Sequence, residues 1–335
     1  MTVWTVAAAA IAFAVSAVIG RWLIPYLRRL HFGQTILEIG PNWHKNKQGT
    51  PTMGGLMFIA GILIAVAVCF AGAALTDGAI IAPMEKIHNV RLVSGILMAL
   101  AFGVMGFADD YVKVAKKRNL GLTARQKLIC QFIISAIYLW SLYLGGDTTN
   151  TVIIPFIGQL KLGVLYYPLC AVGIVYITNS VNLTDGLDGL SSSVTVMASL
   201  GLMGAAAVLG VAQVSIMAAA VAGGCLGFLI YNFYPAKVFM GDTGSMFLGG
   251  CIVAMAFGIG MPLILAFCGI IYVVESMSVV LQVISFKTTG KRIFKMSPIH
   301  HHFEMCGYSE VQIVFAFAGV TLLMSVLTVF AAMNV

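Results

Sequence analysis

No charged residue precedes Arg21, and apolar stretches of similar length recur to the end of the chain. Hydrocarbon penalises ionised side chains, so a run of roughly 20 apolar residues reads as a helix that crosses a bilayer. Of the 335 residues, 60% are hydrophobic and 9% charged, against roughly 25% charged in a soluble domain. An ordinary globular fold is thereby excluded. Run lengths and polar breaks predict about ten transmembrane helices, near 2–27, 53–74, 92–108, 127–145, 165–180, 190–209, 213–231, 245–259, 262–285 and 311–333. The first run has no basic residues ahead of it, so it reads as a retained span and not a cleaved signal. With no tandem repeat and no soluble segment, the expectation is an all-α integral membrane protein, one polytopic domain over 1–335.

The cations are distributed unevenly. Arg28, Arg29, Lys45 and Lys47 fall in the first loop, and Lys113, Lys116, Lys117, Arg118, Arg125 and Lys127 in the third. Lys237 is in the seventh, and Lys287, Lys291, Arg292 and Lys295 are in the ninth, whereas even-numbered loops hold almost none. Loops rich in Lys and Arg stay in the cytoplasm, which puts both termini on the extracytoplasmic side. A β-rich stretch near 150–162, broken at Gly158, predicts a small hairpin outside the membrane. Six of the seven cysteines lie in apolar runs and there is no CxxC pair, so neither disulfides nor a thiolate metal site is expected.

Polar clusters gather in the odd loops. Asp109 and Asp110 fall where the third span should leave the membrane, just ahead of the basic run. Neighbouring carboxylates repel unless a cation sits between them, which suits Mg²⁺ binding or a general base. In the fifth loop Asn179, Asn182, Asp185 and Asp188 recur every third residue with no Lys or Arg among them, an acidic patch that needs a metal or donors from a substrate. The seventh loop brings Asn232, Lys237, Phe239 and Asp242 to the start of a helix, where a carboxylate can face a metal and amides a phosphate. In the ninth, His300, His301 and His302 are consecutive and cannot all face one ion from a regular helix; among Lys and Arg they suit phosphate binding or proton transfer. The first loop carries Thr50, Thr52, Gly54 and Gly55 beside Lys45 and Lys47; taken alone, it favours a Pro51-started helix cap over an anion cradle.

These motifs together resemble the polyprenyl-phosphate N-acetylhexosamine-1-phosphate transferase superfamily. The resemblance rests on KNKQGTPTMGG (45–55), FADDYVK (107–113), NSVNLTDGLDGL (179–190), NFYPAKVFMGDTGS (232–245) and MSPIHHHFE (296–304), and covers essentially the whole chain. The last motif points to the muramoyl branch, the phospho-N-acetylmuramoyl-pentapeptide transferases. That branch implies a Mg²⁺-dependent enzyme of the bacterial plasma membrane with its active site on the cytoplasmic face. It would transfer phospho-MurNAc-pentapeptide from UDP-MurNAc-pentapeptide to undecaprenyl phosphate, giving lipid I and UMP for peptidoglycan, and so serve cell shape and division. The resemblance implies that Asp109, Asp110, Asp242 and His300 are catalytic, with Asp242 and Asp110 at the metal and Asp109 as base for the lipid phosphate. It further implies that Lys45, Lys113, Asn179, Asn182, Asp185, Asp188, Asn232, Phe239, His301 and His302 serve substrate binding. A homodimer in membrane lipid is expected, with no nucleic-acid partner. Whether an aspartate attacks first or only takes a proton is left open by the sequence.

Two rival readings remain. A GlcNAc-1-phosphate transferase of another polymer pathway would share most motifs but not the histidine loop. A secondary transporter would place polar groups near the midplane, in repeated halves, whereas here they gather at one face.

Overall fold

The computed structural model describes residues 3–30, 47–76, 78–115 and 121–335. Lys45, and with it Lys116, Lys117 and Arg118, falls outside the described residues. The helices are α1 (Val3–Arg29), α2 (Leu56–Thr76), α3 (Lys86–Ala115), α4 (Ala124–Leu144), α5 (Tyr166–Thr184), α6 (Leu190–Val208), α7 (Ala212–Asn232), α8 (Gly241–Gly258), α9 (Leu265–Cys268), α10 (Ile270–Thr289), α11 (Ile299–Met305) and α12 (Glu310–Met333). Among the described residues nine helices are long and apolar enough to cross a membrane, all of these but α8, α9 and α11.

The remaining expected span, 245–259, is α8, and it stands apart. It has Asp242 in its first turn and is buried from Thr243 through Gly258. A helix enclosed on all sides by protein needs no lipid-facing stripe. Close packing here depends on small residues. A Cβ at Gly250 would strike the Ala99 backbone of α3, and one at Gly249 the Thr178 backbone of α5.

Three expected boundaries are corrected. The third helix runs Lys86–Ala115 instead of 92–108, so Asp109 and Asp110 lie inside it, more than a turn before its end. Thirty residues make a helix of about 45 Å, longer than the roughly 30 Å hydrocarbon layer; its polar last turns extend beyond. The fifth continues to Thr184, past the expected 180, with Thr178, Ser180 and Thr184 each donating a hydroxyl to the carbonyl one turn back. The expected 262–285 span is broken: Gly260 takes φ 77°, Pro262 starts a short 3₁₀ turn, and α9 is separated from α10 at Gly269.

The hairpin is present. β1 (Thr151–Ile154) pairs antiparallel with β2 (Gly158–Lys161), with Val152 opposite Leu160. It joins the C-terminal end of α4 to the start of α5, and Arg91 near the start of α3 bonds the Gly258 carbonyl at the end of α8 at 3.5 Å. The opposite end of the bundle gathers the end of α3, the start of α4, the end of α5 and the start of α8. The polar clusters meet there.

Candidate active site

Consecutive residues on a helix point about 100° apart, so Asp109 and Asp110 face different neighbours. Asp110 turns to α8: its Oδ2 accepts from the Thr243 amide at 2.9 Å and hydroxyl at 2.7 Å, and its Oδ1 from the Asp242 amide at 3.2 Å. A carboxylate from α3 thus caps the N-terminus of α8, where the helix dipole favours negative charge. Gly241 makes this approach possible, since it takes φ 71° and a Cβ there would press on Asp110 and Thr52.

Asp109 turns to the lysines. Its Oδ2 lies 2.6 Å from Lys113 Nζ and 3.1 Å from Lys127 Nζ, while Oδ1 accepts from the Leu122 amide at 2.7 Å. Asp242 Oδ2 lies 2.7 Å from Lys127 and 3.2 Å from Lys113. Its Oδ1 accepts from Asn182 at 3.0 Å, and Asn182 also bonds Ser245 at 2.7 Å. The repulsion expected between neighbouring acids is therefore relieved by two ammonium groups held between them. Oxygens from Asp109, Asp110 and Asp242 all lie within 4.8 Å of one another.

Asp185, just beyond the end of α5, donates its amide to the Asn182 carbonyl at 3.2 Å, and its carboxylate makes no hydrogen bond or ion pair among the described residues. Burial, and then the charges of Asp242, Asp110 and Asp188, push its carboxyl well above the usual range. Three carboxylates around two lysines leave a deficit of positive charge. Hard oxygen donors with that deficit fit a divalent cation such as Mg²⁺.

Other expected site residues are placed differently. The acidic patch of the fifth loop is compensated after all: Lys47 lies 2.7 Å from Asp188 and 2.6 Å from Glu310. Asp188 also accepts from the Ala236 amide at 2.8 Å, so it braces three segments. Asn179 pairs its amide with Gln131 at 2.7 and 3.1 Å, one turn deeper than Asn182. Asn232, 1% exposed, links Gly189 and Val238 through their backbones. Both read as supports of the site. Phe239 keeps its ring half-buried while its backbone pairs with Pro51 and Gly54 at 2.8 Å each. The Pro51–Gly55 segment is therefore not merely a helix cap. It is a strand-like brace for the loop carrying Phe239, and its glycines permit that backbone approach.

The three histidines diverge on α11. His300 is 1% exposed, with Nδ1 3.0 Å from both oxygens of Glu275. His301 bonds Glu304 at 2.6 Å. His302 turns away, accepting from the Lys295 amide at 3.1 Å against the ring of Phe294, which gives it a role in folding its own loop. Lys127, Gln131, Thr243 and Glu275 also stand at the site, although none is among its expected residues. For Glu275 a signal was there: an isolated acid inside an apolar run is functional by default. Lys127 was one of six cations in its loop, and nothing in the sequence ranked them.

A family model described as glycosyl transferase family 4 matches residues 92–260. A second, described as phospho-N-acetylmuramoyl-pentapeptide-transferase signature 1, matches residues 47–59. The chain is 47% identical to the phospho-N-acetylmuramoyl-pentapeptide-transferase of Heliobacterium modesticaldum, over 97% of each chain. It is 44% identical to that of Acetivibrio thermocellus, over 96% of this chain and 93% of the relative. With that of Clostridium perfringens the identity is 46%, over 94% and 93%.

Proposed function

The chain belongs to the phospho-N-acetylmuramoyl-pentapeptide-transferase family, and from that premise we propose that the carboxylate–lysine cluster of α3, α4 and α8 is its active centre. The protein is a multi-pass membrane transferase of peptidoglycan biosynthesis. It moves phospho-MurNAc-pentapeptide from UDP-MurNAc-pentapeptide to undecaprenyl phosphate, giving lipid I and UMP. The observation that carries the site is the meeting of Asp109, Asp110 and Asp242 around Lys113 and Lys127.

The chemistry is an in-line displacement. An oxygen of the lipid phosphate forms a bond to the sugar-bearing phosphorus, and the bond to UMP breaks. Catalysis of this kind is mostly positioning and charge neutralisation. Asp242, with Asp110 beside it, would hold Mg²⁺, which when bound supplies positive charge to the diphosphate. Lys113 and Lys127 add fixed positive charge at the same place. Asp109 would take the proton of the lipid phosphate, and His300 would face the diphosphate from α11. Asn182 holds Asp242 in orientation, and Phe239 offers a face for the uracil ring. Lys45, Asp185 and His301 complete the proposed substrate contacts.

The cations at this end of the bundle support a cytoplasmic active site, with the hairpin and both termini outside. An acceptor with a long prenyl tail can then stay in lipid while its phosphate meets a water-soluble donor. A single domain and a homodimer paired through apolar faces complete the proposal.

The test is UMP release by purified protein given both substrates, with Mg²⁺ or with EDTA, beside the Asp242→Asn variant. Metal-dependent release that the variant loses is the expected result. Full activity in EDTA, or in the variant, would overturn the assignment of the centre. Release with UDP-GlcNAc in place of the muramoyl donor would favour the sister branch.

A further inference from the structure

Glu275 lies in the middle of the apolar run of α10 and is 0% exposed. Both its carboxylate oxygens lie 3.0 Å from His300 Nδ1, and no other donor among the described residues reaches them. A buried carboxylate with one donor needs the proton on that donor. The imidazole is therefore held with its hydrogen on Nδ1, which leaves Nε2 as the outward atom. That Nε2 is itself buried and has no hydrogen-bond partner among the described residues. It rests against Gly186, where a Cβ would strike the ring. Gly186 follows Asp185 in the turn that joins α5 to α6, beside the acidic cluster.

A pair serving only to pack α10 on α11 would be complete at Nδ1. A second ring nitrogen left buried and unsatisfied is costly, and a phosphate oxygen arriving beside Asp185 would supply its missing partner. Resting on the reading of His300 as a catalytic group, we propose that Glu275 is a positioning residue of this transferase, holding His300 so that Nε2 meets the substrate diphosphate. When the diphosphate binds, Nε2 takes up a proton from solvent, the resulting imidazolium donates it in a hydrogen bond to a phosphate oxygen, and Glu275 offsets the added charge. The other charged or titratable neighbours are Asp185 in the facing turn and, on α11 itself, His301 with its ring 4.1 Å away and Glu304.

The experiment is a double-mutant cycle in UMP release, with kcat and KM measured separately for wild type, Glu275→Gln, His300→Gln and the double variant. Glu275→Gln should lower kcat by roughly 100-fold with KM within about twofold, the pattern for a group that orients a catalytic imidazole. The double variant should fall no further than His300→Gln alone, because Glu275 acts through the ring. The thermal midpoint of Glu275→Gln should stay near that of wild type. Should Glu275→Gln fail to fold, Glu275→Asp, which keeps the charge, carries the same cycle. Wild-type kcat in Glu275→Gln, or losses that multiply in the double variant, would overturn the proposal. Full activity in His300→Gln would overturn the reading of His300 itself, a distinguishable result.

Discussion

Thr243 gives both its amide and its hydroxyl to one oxygen of Asp110, at 2.9 and 2.7 Å. The acid in the expected metal pair is thus also the cap of the helix that presents Asp242. Asp110→Asn should cost about 1–2 kcal/mol of stability as a lost charged cap and lower transfer by roughly 100-fold. Thr243→Val, which keeps the amide, should cost about 1 kcal/mol and much less activity. Thermal unfolding and UMP release on the two variants check this. Equal activity losses would show that the charge of Asp110 has no chemical role.

Lys127 makes the shorter contact to Asp242, 2.7 Å against 3.2 Å for Lys113. Lys127→Met should reduce kcat by roughly 100-fold and Lys127→Arg should recover part of it. A Lys127→Met enzyme within twofold of wild type would remove this residue from the centre.

Gly106 of α3 lies directly on the backbone of Asp242 and Thr243. A methyl group there must push α3 from α8. Gly106→Ala is expected to destabilise by about 1–3 kcal/mol and to abolish most activity through the displaced Asp242. Gly319→Ala, which meets nothing within 4 Å, is the control and should be silent. An active, stable Gly106→Ala would contradict the close packing described.

At the far end of the bundle, Asp147 pairs with Arg91 at 2.7 Å. Burial would raise its carboxyl, but hydrogen bonds from Arg91 and Thr149 and the Arg91 charge outweigh that and leave it below the usual range. An acid lowered in the folded state stabilises it above the unfolded value of about 3.9, and the contribution fades as pH falls through the folded value. Acid unfolding of Asp147→Asn should therefore show a flatter dependence on pH below about 4. An unchanged slope would mean the pair does not contribute.

Much of this arrangement was legible in the sequence because a bilayer imposes simple rules. Apolar length gave the spans, cation counts gave a consistent side for the polar loops, and Gly158 marked the hairpin. Local motifs also brought Asp109, Asp242 and Asn182 to one end. What stayed hidden depends on contacts between distant segments. Lys47 and Asp188 are 141 residues apart, so the fifth loop looked unneutralised. The helix was expected to end before the neighbouring aspartates; because it continues, they turn to different partners, although their oxygens stay within 4.8 Å of one another. Asn179 and Asn232 share their motifs with other site candidates, and only their hydrogen bonds to Gln131, Gly189 and Val238 show that their amides are already engaged.

The enclosure of α8 bears on how the chain comes to be assembled in its membrane. A helix with an acid in its first turn and no lipid-facing side is a poor lodger in bare lipid. Its packing partners α3, α5 and α7 all precede it in the chain. Synthesis from the N-terminus therefore builds the socket before the helix that fills it, and Asp242 enters where Asp110 and the lysines are already waiting.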